Sequence, residues 1–133
     1  MEFHHIGVAT HDLEAAINTY KLLGYTLQGD ARFEDPIQRV KLCFMSRAGH
    51  PLIELVAPNA SDSPVSGVLA KNGSSPYHTC YEVDDIEKSI SDLRAKKFIN
   101  FGKPVPAIAF NNRLICFLLN REIGLIELLQ KHK

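Results

Sequence analysis

The sequence has no surplus of charge of either sign. Lysine and arginine together number 15, aspartate and glutamate together number 15, and the formal net charge of the 133 residues is zero. Proteins that bind nucleic acid or anionic membranes broadly carry a surplus of positive charge. The balance therefore argues against both kinds of partner, although it leaves room for a local basic patch.

Long apolar runs, targeting signals and paired cysteines are also missing. The longest apolar run, 114–119, has the length of a strand, whereas a membrane-spanning helix needs about 18 apolar residues. Residues 1–12 have no basic segment followed by an apolar one, so they do not resemble a secretory signal. The cysteines lie in apolar segments without CxxC spacing: Cys43, Cys80 and Cys116. We therefore expect buried, reduced thiols and a cytoplasmic protein.

What the sequence does contain is an internal repeat. Four matches share one offset of 73 positions and need no gap: His5 with His78, Glu54 with Glu127, 12–14 with 85–87, and 42–44 with 115–117. Chance explains one such match more readily than four at a single offset. We predict one domain, 1–133, made of two similar modules at about 1–58 and 76–133, with a linker at 59–75 that contains one helical turn near 68–70.

Each module is predicted to contain a strand, a helix and three further strands, an α+β arrangement in which a βαβββ unit occurs twice. Apolar residues at helical spacing predict a helix at about 13–23. Asp84 is expected to cap the second helix, with Glu87 completing a capping box. The other predicted strands are 3–9, 25–27, 40–46 and 52–57 in the first module, and 98–101, 114–119 and 125–129 in the second.

Two histidines and two glutamates occupy equivalent positions of the modules. Because side chains alternate between the faces of a strand, Glu54 faces away from its apolar neighbours. A carboxylate in so apolar a strand is costly to bury without a cation, a hydrogen-bond donor or water. A lone strand histidine or glutamate is usually an ordinary polar residue, but the joint pattern predicts a divalent-metal site. Its predicted ligands are His5, Glu54, His78 and Glu127.

His4 is the alternative to His5 as a ligand. Alternation along the strand puts only one of the two on the face of the site, and alternation alone does not choose between them. The 73-residue spacing to His78 selects His5.

The chain resembles the vicinal-oxygen-chelate superfamily, which includes glyoxalase I and methylmalonyl-CoA epimerase. The segments that carry the resemblance are 4–7, 52–58, 77–86 and 124–128. It implies paired βαβββ modules that close into a half-barrel cleft around one divalent metal, held by His5, Glu54, His78 and Glu127. The donor types leave nickel, cobalt, manganese, iron and zinc open.

Two segments depart from the branches of the superfamily. Lys41 stands where epimerases carry an additional glutamate base, and 120–124 replaces the Asp-Pro-Asp-Gly run that is usual in glyoxalases. The resemblance therefore implies a lyase or isomerase, glyoxalase-like or epimerase-like, without choosing between the two.

The implied reaction removes a proton next to a metal-polarised carbonyl of a small metabolite, for example a thioester. Glu127 or Glu54 would take up the proton, and we favour Glu127. Lys41 and Arg113 are candidates for binding an anionic group of the substrate, although solvated strand-edge charges are common. A metal-free protein that sequesters a small molecule is the alternative function. We also expect a homodimer, because exposed sheet edges are usually paired and members of the superfamily generally dimerise.

Overall fold

The computed structural model describes residues 1–132. Its strands and α-helices are, in chain order, β1 (Glu2–Ala9), α1 (Leu13–Leu22), β2 (Thr26–Leu27), β3 (Phe33–Asp35), β4 (Val40–Ser46), β5 (Leu52–Pro58), α2 (Pro64–Asn72), β6 (Ser75–Val83), α3 (Ile86–Arg94), β7 (Ile99–Ala107), β8 (Arg113–Asn120) and β9 (Gly124–Gln130). Short 3-10 turns follow β2 and β7. The α+β class predicted from the sequence is confirmed.

The chain folds into two compact units. The first unit consists of 5–77, and the second consists of 1–4 together with the segment from His78 onward. In the first unit the strands are ordered β2-β4-β5-β1, and β3 also pairs with β4. In the second unit the order is β6-β9-β8-β7. The first and last strands of each module are parallel to each other, and the remaining pairs are antiparallel.

The repeat extends to the register of the strands. Glu54 of β5 pairs with Gly7 on one side and with Phe44 on the other. Glu127 of β9 pairs with Cys80 and Phe117, which lie 73 positions after Gly7 and Phe44. The repeated sequence therefore specifies the same strand pairing twice.

A helix covers one face of each sheet. The core beneath α1 contains Val8, Leu13, Ile17, Cys43, Met45, Ile53, Leu55 and Ala57. The core beneath α3 contains Val83, Ile86, Ile90, Cys116, Leu118, Ile126 and Leu128. Because side chains alternate along β5 and β9, this packing leaves Glu54 and Glu127 on the opposite faces.

The cap of α3 differs from the sequence-based expectation. Asp85, and not Asp84, is the N-cap residue, and its Oδ1 accepts a hydrogen bond from the backbone N–H of Lys88 at 3.0 Å. Asp12, which precedes Asp85 by 73 positions, caps α1 in the same way through the N–H of Ala15 at 3.1 Å. The capping-box prediction was therefore wrong by one residue.

We expect Asp85→Ala to lower the free energy of unfolding by about 1 kcal/mol, because one backbone N–H of the first turn of α3 loses its acceptor. Asp84→Ala is the matched control, and it removes only a surface ion pair of 3.4 Å with Lys131. Urea unfolding followed by circular dichroism measures both variants. Equal losses for the two would contradict the assignment of the cap.

Three elements are longer than predicted from the sequence or were not predicted. The linker contains the nine-residue helix α2 rather than a single turn. β3, with three residues, was not predicted. β7 extends to Ala107 because a bulge between Phe101 and Val105 carries the strand past Gly102, whose φ is 71°. The prolines of this strand are tolerated because β7 lies at the edge of its sheet.

The cysteines are buried thiols, as predicted. Burial raises the pKa of Cys43 to about 12, and it also raises the pKa of Cys116. Both thiols are therefore protonated and poorly nucleophilic at neutral pH. Within residues 1–132, no helix is long and apolar enough to cross a membrane.

Candidate metal centre

His5 and Glu54 lie side by side in the first unit. They project from the parallel neighbours β1 and β5, and His5 Nε2 lies 3.4 Å from Glu54 Oε1. His5 is 0% exposed and Glu54 is 5% exposed. The ring of Phe44, on β4, packs edge-on against His5 with the centroids 6.0 Å apart. This packing restricts the orientation of the imidazole.

The second unit contains the same arrangement. His78 Nε2 lies 3.4 Å from Glu127 Oε1, and the two residues are 4% and 2% exposed. Phe117 packs edge-on against His78 with the ring centroids 5.2 Å apart. The two His–Glu pairs thus lie on equivalent strands of their modules, with the same distance between the side chains and the same type of aromatic ring beside the histidine.

The chemistry of these groups fits a divalent cation. Burial of a carboxylate is costly unless a cation or hydrogen-bond donors offset the loss of water. Imidazole nitrogen and carboxylate oxygen are ligands of nickel, cobalt, manganese, iron and zinc. Each unit therefore supplies one nitrogen and one carboxylate group of a type that binds these ions, on a face that the helix leaves uncovered.

His4 has different surroundings from His5. Its ring packs edge-on against Phe110 with the centroids 5.4 Å apart, and its side chain is only partly buried. His5, the residue selected by the repeat spacing, is the one that lies beside Glu54.

Lys41 does not lie on the face that carries Glu54. Phe44 pairs directly with Glu54, so alternation along β4 puts Val40 and Leu42 on that face and Lys41 on the other. Lys41 is exposed, and it pairs with Glu34 of the neighbouring strand β3. The structure therefore does not bring Lys41 to the candidate ligands of its own unit, and its predicted contact with a substrate lacks structural support.

Arg113 makes hydrogen bonds and a ring contact within its own unit. Its Nη1 donates to Glu82 Oε2 at 2.9 Å and to the carbonyl oxygen of Gln130 at 3.3 Å, and its guanidinium lies 5.6 Å from the centroid of the Phe110 ring. Glu82 was not predicted from the sequence, although it shares its strand face with His78 by alternation. The pair breaks the repeat, because Ala9 occupies the position equivalent to Glu82.

Comparison with known proteins establishes the family. Residues 4–117 match the model of the Glyoxalase/Bleomycin resistance protein/Dioxygenase superfamily. The chain belongs to this superfamily. It is 34% identical over 131 residues to the human mitochondrial methylmalonyl-CoA epimerase, covering 96% of this chain and 72% of the relative. It is 31% identical to the ethylmalonyl-CoA/methylmalonyl-CoA epimerase of Cereibacter sphaeroides, covering 96% of both chains.

The fold of this superfamily member agrees with a solved structure. A hypothetical protein from Bacillus halodurans superposes with a TM-score of 0.85 at 26% identity, covering 99% of this chain and 95% of that chain. The predicted superfamily fold is therefore confirmed. With curated relatives that are epimerases, the chain is an enzyme of the epimerase type within its superfamily.

Proposed function

We propose that this enzyme epimerises 2-alkylmalonyl-CoA thioesters such as methylmalonyl-CoA. The observation that carries the proposal is the doubled, buried His–Glu pair in a chain whose curated relatives are named for methylmalonyl-CoA and ethylmalonyl-CoA. In these substrates the carbon that inverts lies between a thioester carbonyl and a carboxylate, so its proton is acidified by both neighbours.

We propose that the two pairs together bind one divalent ion through His5, Glu54, His78 and Glu127. Support comes from the identical position of each pair in the repeat, from their burial and from their ligand chemistry. When bound, such an ion would polarise the thioester carbonyl as a Lewis acid. Its identity stays open among nickel, cobalt, manganese, iron and zinc. A metal-free sequestering protein would not need both buried pairs.

We propose that a carboxylate of these four residues removes the proton from the carbon that inverts. We infer that Glu127 accepts this proton, and Glu54 is the second candidate. Return of a proton to the opposite face of the carbon inverts its configuration, and return to the same face restores the starting isomer. Because Lys41 faces away from Glu54, it is a poor candidate for the residue that returns the proton.

Solvent-deuterium exchange tests the proposed reaction. Metal-loaded enzyme should incorporate one deuterium at the inverting carbon of (S)- or (R)-methylmalonyl-CoA and interconvert the two isomers, as measured by mass spectrometry and chiral analysis. Enzyme stripped of metal by a chelator is the control, and re-addition of each candidate ion in turn identifies the active one. Absence of exchange with every ion would contradict the proposed function.

The homodimer and the cytoplasmic location stay proposals. A sheet edge at β7 and the general behaviour of the superfamily favour dimerisation. The buried thiols are suited to a reducing compartment.

A further inference from the structure

Three large apolar side chains of the second unit are exposed together. Ile99 is 63% exposed, Phe101 is 54% exposed and Leu119 is 41% exposed. They lie on the neighbouring strands β7 and β8, and Ile99 pairs directly with Leu119. Contiguous exposed apolar side chains commonly mark a binding surface. We call these three residues the apolar strip.

The apolar strip lies on the face that carries Glu127. Phe101 pairs with Phe117, and Phe117 pairs with Glu127, so all three side chains project from one face. Leu119 is two residues beyond Phe117 on the same strand and shares that face. At ordinary strand spacing, the Cβ atoms of Leu119 and Glu127 are diagonal neighbours roughly 7–8 Å apart. A substituent of a few carbon atoms spans that distance.

The equivalent positions of the first unit are polar. Thr26, Gln28 and Ser46 stand 73 positions before Ile99, Phe101 and Leu119. Thr26 pairs with Ser46 just as Ile99 pairs with Leu119. The backbone register of the repeat is thus preserved while the chemistry of these positions differs, so the scaffold does not require apolar side chains there.

The other end of the same face is closed. Leu129 and Ile115 pair with each other one step beyond Glu127 and are almost completely buried. Beyond them, Arg113 is engaged by Glu82 and by the ring of Phe110. Of the two directions along β9 from Glu127, the one toward Leu129 is closed, and the one toward Leu125 leads to the exposed side chains of the apolar strip.

We propose that Ile99, Phe101 and Leu119 form the subsite for the alkyl substituent of the carbon that inverts. This inference rests on the proposed function and deepens it, because it assigns the substrate class. The enzyme takes thioesters whose substituent is longer than methyl, such as ethyl or butyl, in preference to methylmalonyl-CoA. Each buried methylene strengthens binding by roughly three- to fourfold.

Equilibrium binding of simple acyl-CoA thioesters tests the subsite without turnover. Acetyl-, butyryl- and hexanoyl-CoA carry no group, an ethyl group and a butyl group on the relevant carbon. Isothermal titration calorimetry of the wild type should give a Kd for butyryl-CoA about 10-fold below that for acetyl-CoA, with a further decrease for hexanoyl-CoA.

The decisive variant replaces the apolar strip with the residues of the first unit. Ile99→Thr with Leu119→Ser should reduce the butyryl-to-acetyl preference to about 2-fold. The reciprocal change, Thr26→Ile with Ser46→Leu, is the matched control and should leave the wild-type preference intact. Both pairs of positions are at least partly exposed, so the variants should fold, and thermal melting verifies this. The two single substitutions replace the double variant if it melts early.

An unchanged chain-length preference in the Ile99→Thr/Leu119→Ser variant would overturn the subsite, whether or not the enzyme exchanges deuterium. So would light scattering that shows a dimeric wild type and a monomeric variant with the same preference, because the strip would then bind a second copy of the chain. A wild type that binds with chain-length preference but never exchanges the proton keeps the subsite and loses the proposed reaction.

Discussion

Glu127→Gln should lower the rate of deuterium exchange into methylmalonyl-CoA by about 10²–10⁴ while the protein remains folded. The glutamine side chain has nearly the size of glutamate and still offers an oxygen to a cation. It cannot accept a proton at neutral pH, because an amide is far less basic than a carboxylate. Glu127 is 2% exposed and lies beside His78, so a change of size rather than of charge would disturb its packing.

Glu54→Gln is the matched control for this prediction. Glu54 occupies the equivalent strand position and the same 3.4 Å contact with a histidine, so both substitutions weaken a cation site in a similar way. Metal content is measured for both variants alongside the exchange rate. A Glu127→Gln variant that stays metal-loaded and exchanges at the wild-type rate would exclude Glu127 as the base. If only Glu54→Gln slows exchange, the role passes to Glu54.

Addition of the active metal to stripped protein should raise Tm by roughly 8–10 °C at a free concentration 100-fold above Kd. A ligand that binds only the folded state contributes about 2.7 kcal/mol under this condition. For a chain of this length, each kcal/mol corresponds to a few degrees. His5→Ala and His78→Ala should each remove most of this shift, because each deletes the only imidazole of its pair. Differential scanning calorimetry with and without metal measures the effect.

His4→Ala is the control, since its ring packs against Phe110 and the repeat does not select it. This variant should retain the metal-dependent shift, with a lower Tm in the absence of metal. The ligand assignment fails if His4→Ala loses the shift while His5→Ala keeps it. Unequal effects of His5→Ala and His78→Ala would instead show that the two units contribute differently to binding.

The repeat made the order of strands and helices in each module predictable, and it selected one histidine and one glutamate of each module as candidate ligands. Segments 52–55 and 125–128 have the same sequence, Leu-Ile-Glu-Leu, so equivalent residues of β5 and β9 share a face, and the spacing selected His5 over His4. Alternation then placed Glu54 and Glu127 opposite the helix-covered core, as the structure has them. These features follow from alternation along each strand and from the internal repeat, both of which a single sequence contains.

Features that depend on neighbouring strands were not predictable in this way. The orientation of Lys41 is set by the direct pairing of Phe44 with Glu54, and a single sequence does not specify that register. Asp84 and Asp85 are adjacent acidic residues with equal capping chemistry, and the start of α3 selects Asp85, the residue 73 positions after the α1 cap Asp12. The pairing of Arg113 with Glu82 joins residues on different strands, and neither has a charged counterpart in the repeat.

The assignment of 1–4 to the second unit has a consequence for synthesis on the ribosome. Phe3 packs edge-on against Tyr81 with the ring centroids 5.8 Å apart, and Glu2 lies 3.3 Å from Lys131. A nascent chain that has emerged only to residue 77 therefore lacks the partners of its first residues, even though all of its first unit is present. A tag fused to Met1 is therefore attached to the second unit. Purification tags should be tested at both termini before metal affinity is compared between variants.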